Sequence, residues 1–530
     1  MSSNPTDPIE DEENLRADQK GMFRKREIFN RLIIKQITKG NIIQDFYAPR
    51  KDDDGSVEPI LIGERYPGTK GAEAFLSKSE PKSEEISRVK KAINLVIMNL
   101  KRPLSLGFFY EDRWTEKGTP WNNKFEKMRH LPKRPKDFMG EADAIAGVLT
   151  RGPFSVYSEI DPKNGDVIHD LSALESLQPR KPFVNAGGFA RVGKNAAGEF
   201  ATKSITFQDK EYKPGSIGYP LAQKRFLVGL NSWSTFIDHL TYCHILGAQN
   251  NALATLKTLP SDHPLRIMIQ PFITETTKVN NELIDGLIKY ERSNVPSYTG
   301  YSLATLDKLM IDFVNNFDVR VLDPELRYTL RGVPLDDPKF PTVQSTVEIF
   351  KIYRSFSEAW CQEYMKNGVD DDTKAYVLAL QEQTPNGIFP LVGIKSIDEL
   401  TVWHVAHIAA TLIFTGSVWH HNVNDLTGPY MFSFDVMPTA MDKNGFPTKG
   451  VVLEKRNSIV AASKYRYYVL PKEGQKTKSI KDILPEPSMK NIWTQFEDDL
   501  KKYKTRKDSK PSDIKDFCID PFDITSSIHA

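Results

Sequence analysis

The chain has 530 residues, 39% hydrophobic and 26% charged, an ordinary globular composition with room for one large core or several domains. Lys+Arg 71 against Asp+Glu 69 leaves a formal charge of +2, so no global field selects nucleic acid or an anionic membrane. The cysteines Cys243, Cys361 and Cys518 are too few for a disulfide framework and fit a reducing compartment.

The opening MSSNPTDPIEDEENLRADQK is polar and acidic, without the pattern of a signal peptide. Asn-x-Ser/Thr occurs only with x as Pro, so a cytoplasmic location is expected. Residues 1–20 read as a disordered acidic tail. A helix is expected over 24–50, followed by the turn KDDDGSVEP. Apolar residues at 86, 89, 93, 96, 97 and 100, after Ser83, predict an amphipathic helix over Ser83–Leu100. Residues 105–155 mix aromatics with short helical pieces. The stretch 180–220 is rich in Gly, Lys and Thr and includes the alternating ATKSITF, which predicts a small β excursion.

From Leu221 the chain turns helical. LAQKRFLVGLNSWSTFIDHLTYCHILGAQNNALATL predicts one helix of about ten turns, ending near Pro260. Further helices are expected at 342–367 and 372–383. The most apolar helix is Ser396–Val423, with Ser396 as its N-cap and Glu399 three residues on. Its run Val402–Trp419 approaches the length of a membrane span. His404, His407, Thr411, Thr415 and Ser417 within that run mark a buried core helix and no transmembrane segment. The lysine-rich segment 471–515 reads as a surface excursion holding one helix near 488–502. The sequence shows no repeat, no heptad run, no GxGxxG and no GxxxxGK(S/T).

Two pairs of residues carry the chemistry. His239 and His244 lie in FIDHLTYCHIL, and His420 and Asn424 in GSVWHHNVNDL. At about 100° per residue, His420 and Asn424 share one helix face. His239 and His244 are five apart and would diverge by about 140° on an ideal α-helix. Aiming both at one ion demands non-α geometry, and a π-bulge supplies it. Three imidazoles and an amide suit a redox metal such as iron, with manganese an equal fit. They suit hydrolytic zinc poorly, because no HExxH or carboxylate base accompanies them. The free carboxylate of Ala530 offers one anionic oxygen ligand. Isolated histidines such as His263 and His407 read as core residues bonded to a carbonyl.

These residues resemble the lipoxygenase family. In DHLTYCHILGAQNNALATLKTLPSDHPLRIMIQPF, His239 and His244 match the family's first two iron ligands, and His263-Pro264 its downstream His-Pro. Ser417, His420 and Asn424 match its Ser-x-x-His-x-x-x-Asn motif, and Ala530 would supply its terminal carboxylate ligand. FMGEADAIAGVLTRGPFSVY, LAQKRF, YTLRGV and EAWCQEYM extend the likeness over roughly 105–530. The resemblance implies a mainly α fold. It would be a single large catalytic domain over 21–530, built around two long core helices, with a small β excursion. The family's N-terminal β-barrel (PLAT-type) domain is expected to be missing.

The resemblance further implies a non-haem iron dioxygenase. Its ferric hydroxide takes hydrogen from a bis-allylic methylene of a polyunsaturated fatty acid, and O2 then adds to give a lipid hydroperoxide. No catalytic residue is implied beyond that hydroxide. The implied pocket residues are Leu240, Leu283, Leu287, Ile413 and Phe414, with Thr235 and Thr427 where the family often has glutamines. Leu283 stands where the family has Ala or Gly, Leu240 where it has Trp, and Ile528 is placed to anchor the tail. His421 neighbours a ligand but points elsewhere. These departures leave two alternatives open. One is a lipoxygenase-like enzyme with a specialised lipid or natural-product substrate, or a hydroperoxide isomerase. The other is a non-catalytic lipid-binding relative.

Overall fold

The computed structural model describes residues 135–138, 143–260, 262–273, 276, 280, 299–301, 303–431, 436–443, 445, 468–470 and 480–528. The tail expected at 1–20 and the helices expected over 24–50 and Ser83–Leu100 lie outside the described residues. The rest is mainly α with one small antiparallel sheet.

The sheet is a meander of β1 (Glu159–Ile160), β2 (Val167–Asp170), β3 (Phe189–Lys194), β4 (Phe200–Phe207) and β5 (Lys210–Tyr212), in chain order. It begins at 159, well before the expected 180. The two added strands are two and four residues long, too short to show an alternating pattern. The β4–β5 turn is the two-residue Gln208-Asp209, with φ of 49° and 60°, the left-handed pair that matches the twist of a tight hairpin. Ala190, Val192, Ile205 and Phe207 point inward. They meet α1 (Ala144–Thr150), whose N-cap Asp143 accepts from the Ala146 N–H (3.1 Å) and from both the N–H and hydroxyl of Thr202 on β4 (2.7 and 2.6 Å).

The long helix α2 opens as Tyr219–Trp233, with Pro220 in its first turn. It continues as a π-helix over Ser234–Gln249 and closes as Asn250–Thr258. The non-α geometry expected between 239 and 244 is present but extends over 16 residues rather than one bulge. Thr241 displays it directly, because its hydroxyl donates to the carbonyl of Phe236 five residues back (2.6 Å).

Next come α3 (Pro324–Leu330), α4 (Pro341–Tyr364) and α5 (Asp371–Gln383). The second core helix, α6, runs as Val402–Phe414, then as π segments Thr415–Trp419 and Asn422–Leu426. Its N-cap is Thr401, paired reciprocally with His404, and not Ser396, which caps only the short 3-10 turn Ile397–Glu399. Histidine here takes the place of the usual Glu/Gln partner, which is why the sequence pattern pointed five residues upstream. As expected, α6 belongs to the core. Val402–Tyr430 is long and apolar enough to cross a membrane, but 83% of its most apolar window is buried inside the protein.

The lysine-rich segment is not merely a surface excursion. Its helix α7 (Pro487–Asp508) buries Met489, Trp493, Phe496, Leu500 and Tyr503, a stripe at three- and four-residue spacing. Phe496 stacks on Phe356 of α4 at 4.5 Å, and Tyr353 and Phe350 of α4 meet Phe414 of α6 at 5.6 and 5.1 Å. Each such aromatic contributes about 1.5–3 kcal/mol by leaving water. The layers α7, α4, α6 and α2 thus stack in that order around the site.

α2 and α6 approach closely. A Cβ on Gly247 would lie 2.5 Å from Thr415 Cγ2, so only glycine fits there. The Cys243 thiol donates to the Thr415 carbonyl at 3.0 Å.

Candidate metal centre

The two π segments bring three imidazoles to one point. His239 and His244 come from α2 and His420 from α6, between its two π segments. Their Nε2 atoms form a triangle with every side 3.1 Å. Among the described residues this is the group of His, Cys, Asp and Glu side chains able to hold a metal ion.

One side chain that the sequence reading missed fixes the donor character of this triangle. Asn280 donates its amide N–H groups to the His244 carbonyl (3.0 Å) and to Gln249 Oε1 (2.8 Å). Its Oδ1 therefore faces His244 Nδ1, at 2.8 Å. An amide oxygen only accepts, so His244 carries its proton on Nδ1 and turns a bare lone pair inward at Nε2. Burial pushes the imidazole pKa down to about 4, against a smaller upward pull from the Asn280 hydrogen bond. His244 is thus neutral at physiological pH, with a lone pair able to bind a metal.

At this distance an Nε2–H···N hydrogen bond can join two of the rings, and a shared cation joins all three. Three perpendicular bonds to one ion at this spacing would each be about 2.2 Å. Tetrahedral bonds would be about 1.9 Å, shorter than the usual metal–imidazole length of about 2.0–2.1 Å. Both values lie within about 0.2 Å of that length, so the spacing fits one shared ion of either geometry.

Two further links hold the triangle together. Arg327 of α3 places Nη2 3.0 and 2.8 Å from the two carboxylate oxygens of Asp238, the residue before His239, and both partners are buried. The same guanidinium lies 4.2 Å from the ring of Trp419, the residue before His420. One cation thus clamps the neighbours of two ligands on different helices. Two residues before Trp419, Ser417 donates to the Thr525 carbonyl (2.7 Å) and accepts from Tyr353 (2.9 Å). The returning tail buries Ile519, Ile524 and Ile528.

No family model and no curated protein matches this sequence. Solved structures do match the fold. A calcium-dependent 11R-lipoxygenase superposes with TM-score 0.63 at 14% identity, over 74% of this chain and 66% of its own, so the chain spans just under two thirds of that protein's length. The Delta413-417:GS LOX gives TM-score 0.67 at 15% identity, over 94% of this chain and 81% of its own. A Delta413-417:GS LOX in complex with arachidonate gives 0.67 at 14%, over 100% and 83%. The fold is that of the lipoxygenase catalytic domain.

Within this lipoxygenase fold the other sequence-predicted residues scatter. Asn424 sits half-buried in the last π segment of α6, so its relation to His420 is not the plain α-helical one expected. Ala530, Leu283 and Leu287 lie outside the described residues. Leu240, Ile413 and Phe414 are buried, and the Phe414 ring packs against α4. Thr235 and Thr427 spend their hydroxyls on their own helices, on Asn231 Oδ1 (3.5 Å) and the Val423 carbonyl (2.6 Å). His421 turns to Asp425 at 2.9 Å. His263 and His407 meet carboxylates rather than the expected carbonyls: Asp370 at 3.1 Å and Asp323 at 2.8 Å. His263 is also only half-buried.

Proposed function

We propose that this chain is a lipoxygenase-type dioxygenase that binds a single non-haem iron and forms a hydroperoxide on a polyunsaturated fatty acyl chain. The observation that carries the reading is the triangle of Nε2 atoms 3.1 Å apart, at the heart of a lipoxygenase fold. The arachidonate complex of a LOX that superposes over 100% of this chain supports a fatty acid as the substrate class. We assign His239, His244 and His420 as ligands, with the Asn424 amide and the Ala530 carboxylate on the oxygen side. Ile528 is buried two residues short of Ala530, which supports that course for the tail. Manganese suits the same ligands.

Bound iron would supply one-electron oxidation of an activated C–H bond. The chain's own residues do the rest. Asn280 keeps the His244 proton on Nδ1, away from the metal. The Asp238–Arg327–Trp419 clamp keeps His239 and His420 facing each other. Leu240, the buried neighbour of His239, would help to keep water from a substrate radical.

Oxygen uptake on linoleate tests the reading, with conjugated-diene absorbance as the product signal. The expected result is uptake and diene formation in step, both abolished by His420→Ala. Iron-loaded protein that consumes no oxygen with linoleate, or with longer polyunsaturated acids, would rule the activity out.

A further inference from the structure

The β4–β5 hairpin and the start of α2 line a half-open cavity of about 510 Å³, within the range of roughly 300–1,000 Å³ typical of small-molecule sites. It lies away from the imidazoles. Its innermost helical residue, Arg225, is 14 positions before His239, about 21 Å along the helix. The apolar walls are Phe207, Tyr212, Leu221 and Ala222.

Two cations, Arg225 and Lys210, and one acid, Glu211, line this cavity; Glu175 attracts Arg225 only at longer range. The Arg225 guanidinium lies 4.5 Å from the Phe207 ring, and its Nε is buried with no hydrogen-bond partner. The Lys210 ammonium lies 5.2 Å from the Tyr212 ring. The nearby acids are engaged elsewhere: Glu211 with Lys213 (3.4 Å), and Glu175 with the Gln208 N–H (2.7 Å). Burial pulls the Arg225 guanidinium below its ordinary range, so its charge is incompletely compensated. The N-terminus of α2 adds to the positive field. Its cap is Gly218, with no side-chain hydrogen bond and no acid in the first turn. At the rim, Ile217 is 104% exposed, apolar surface left in water.

We propose that this cavity is a second ligand site, specific for a monoanionic amphiphile with a carboxylate head. The head pairs with Arg225 under the α2 terminus, and the hydrocarbon body lies along Phe207, Leu221 and Ile217. The half-buried Arg225 guanidinium, with its Nε unbonded, selects an anion, and the apolar walls select against a bare one.

Ile217→Cys carrying an environment-sensitive fluorophore reports locally, because the native Cys243, Cys361 and Cys518 are all buried. Titration of the labelled full-length chain with decanoate, decanol and inorganic phosphate separates the terms. Decanoate should bind saturably, and decanol and phosphate at least about tenfold more weakly, as expected from one charge-assisted hydrogen bond. Arg225→Met should weaken decanoate by at least about tenfold, and Arg225→Lys by less. Calorimetry on unlabelled protein should show the same Arg225-dependent step. Decanol binding as well as decanoate would reduce the site to an apolar groove, and phosphate binding as well would reduce it to a plain anion site. An unchanged Arg225→Met titration, or no decanoate step in either assay, would overturn the proposal. The readout does not involve metal or turnover, so its failure is distinct from failure of the iron-centre reading.

Discussion

At the scale of single residues, Asn280 has more influence on the centre than its chemistry alone indicates. It touches no ion, yet its three hydrogen bonds settle which nitrogen of His244 is free. Partners of this kind typically govern ten- to hundredfold in metal affinity, roughly. Asn280→Leu should lower iron or manganese affinity by about that factor while leaving the circular dichroism spectrum unchanged. Titration of metal into the stripped protein measures it.

His169 is a second informative residue, remote from the ligands. It stacks on Tyr157 at 5.8 Å beside Phe226 and Trp233, and burial, aided by Arg331, pushes its pKa down to about 3. The unfolded chain takes up this proton near pH 6.5 and the folded one only near 3, so folding stability falls as pH drops between those values. The slope is at most about 1.4 kcal/mol per pH unit for this group. His169→Phe should flatten the acid limb by up to one proton while leaving stability above pH 7 little changed. Urea midpoints measured from pH 4 to 8 would show it.

At the scale of elements, the centre depends on two helices that depart from α geometry where they meet. The histidine pairs were legible because imidazoles on apolar segments stand out, and the five-residue spacing already required a π turn. The 16-residue extent of that π segment was not legible, since no side-chain pattern marks i→i+5 bonding until Thr241 is seen bonding Phe236. Arg327 could not be foreseen either. It joins residues 89 positions apart, and nothing local in PELRYTL signals a partner in FIDHL. Breaking its buried pair from one side should be costly, about 3–5 kcal/mol. Asp238→Leu and Arg327→Met alone should each destabilise more than the double substitution does, because each leaves an uncompensated charge. Denaturant unfolding of the three variants and the parent completes the cycle.

At the scale of the whole molecule, fold class, the two core helices and the three converging histidines were readable from pattern and resemblance. The details that failed were short-range ones. β1 and β2 are too short to show periodicity, and the cap at Thr401 uses a histidine in place of glutamate. The lysines of 471–515 drew the eye from the stripe Met489, Trp493, Phe496, Leu500 and Tyr503. The apolar residues set the layers, and the layers bring residues 239, 244, 280 and 420 to one place.

The account stands on those imidazoles acting together on one redox metal. Metal analysis of the purified chain, after reconstitution with ferrous iron, tests this most directly. The account predicts one iron per chain, lost on substitution of any one of His239, His244 or His420 by alanine. A chain that takes up no iron or manganese, or one that keeps full occupancy without His420, would contradict it.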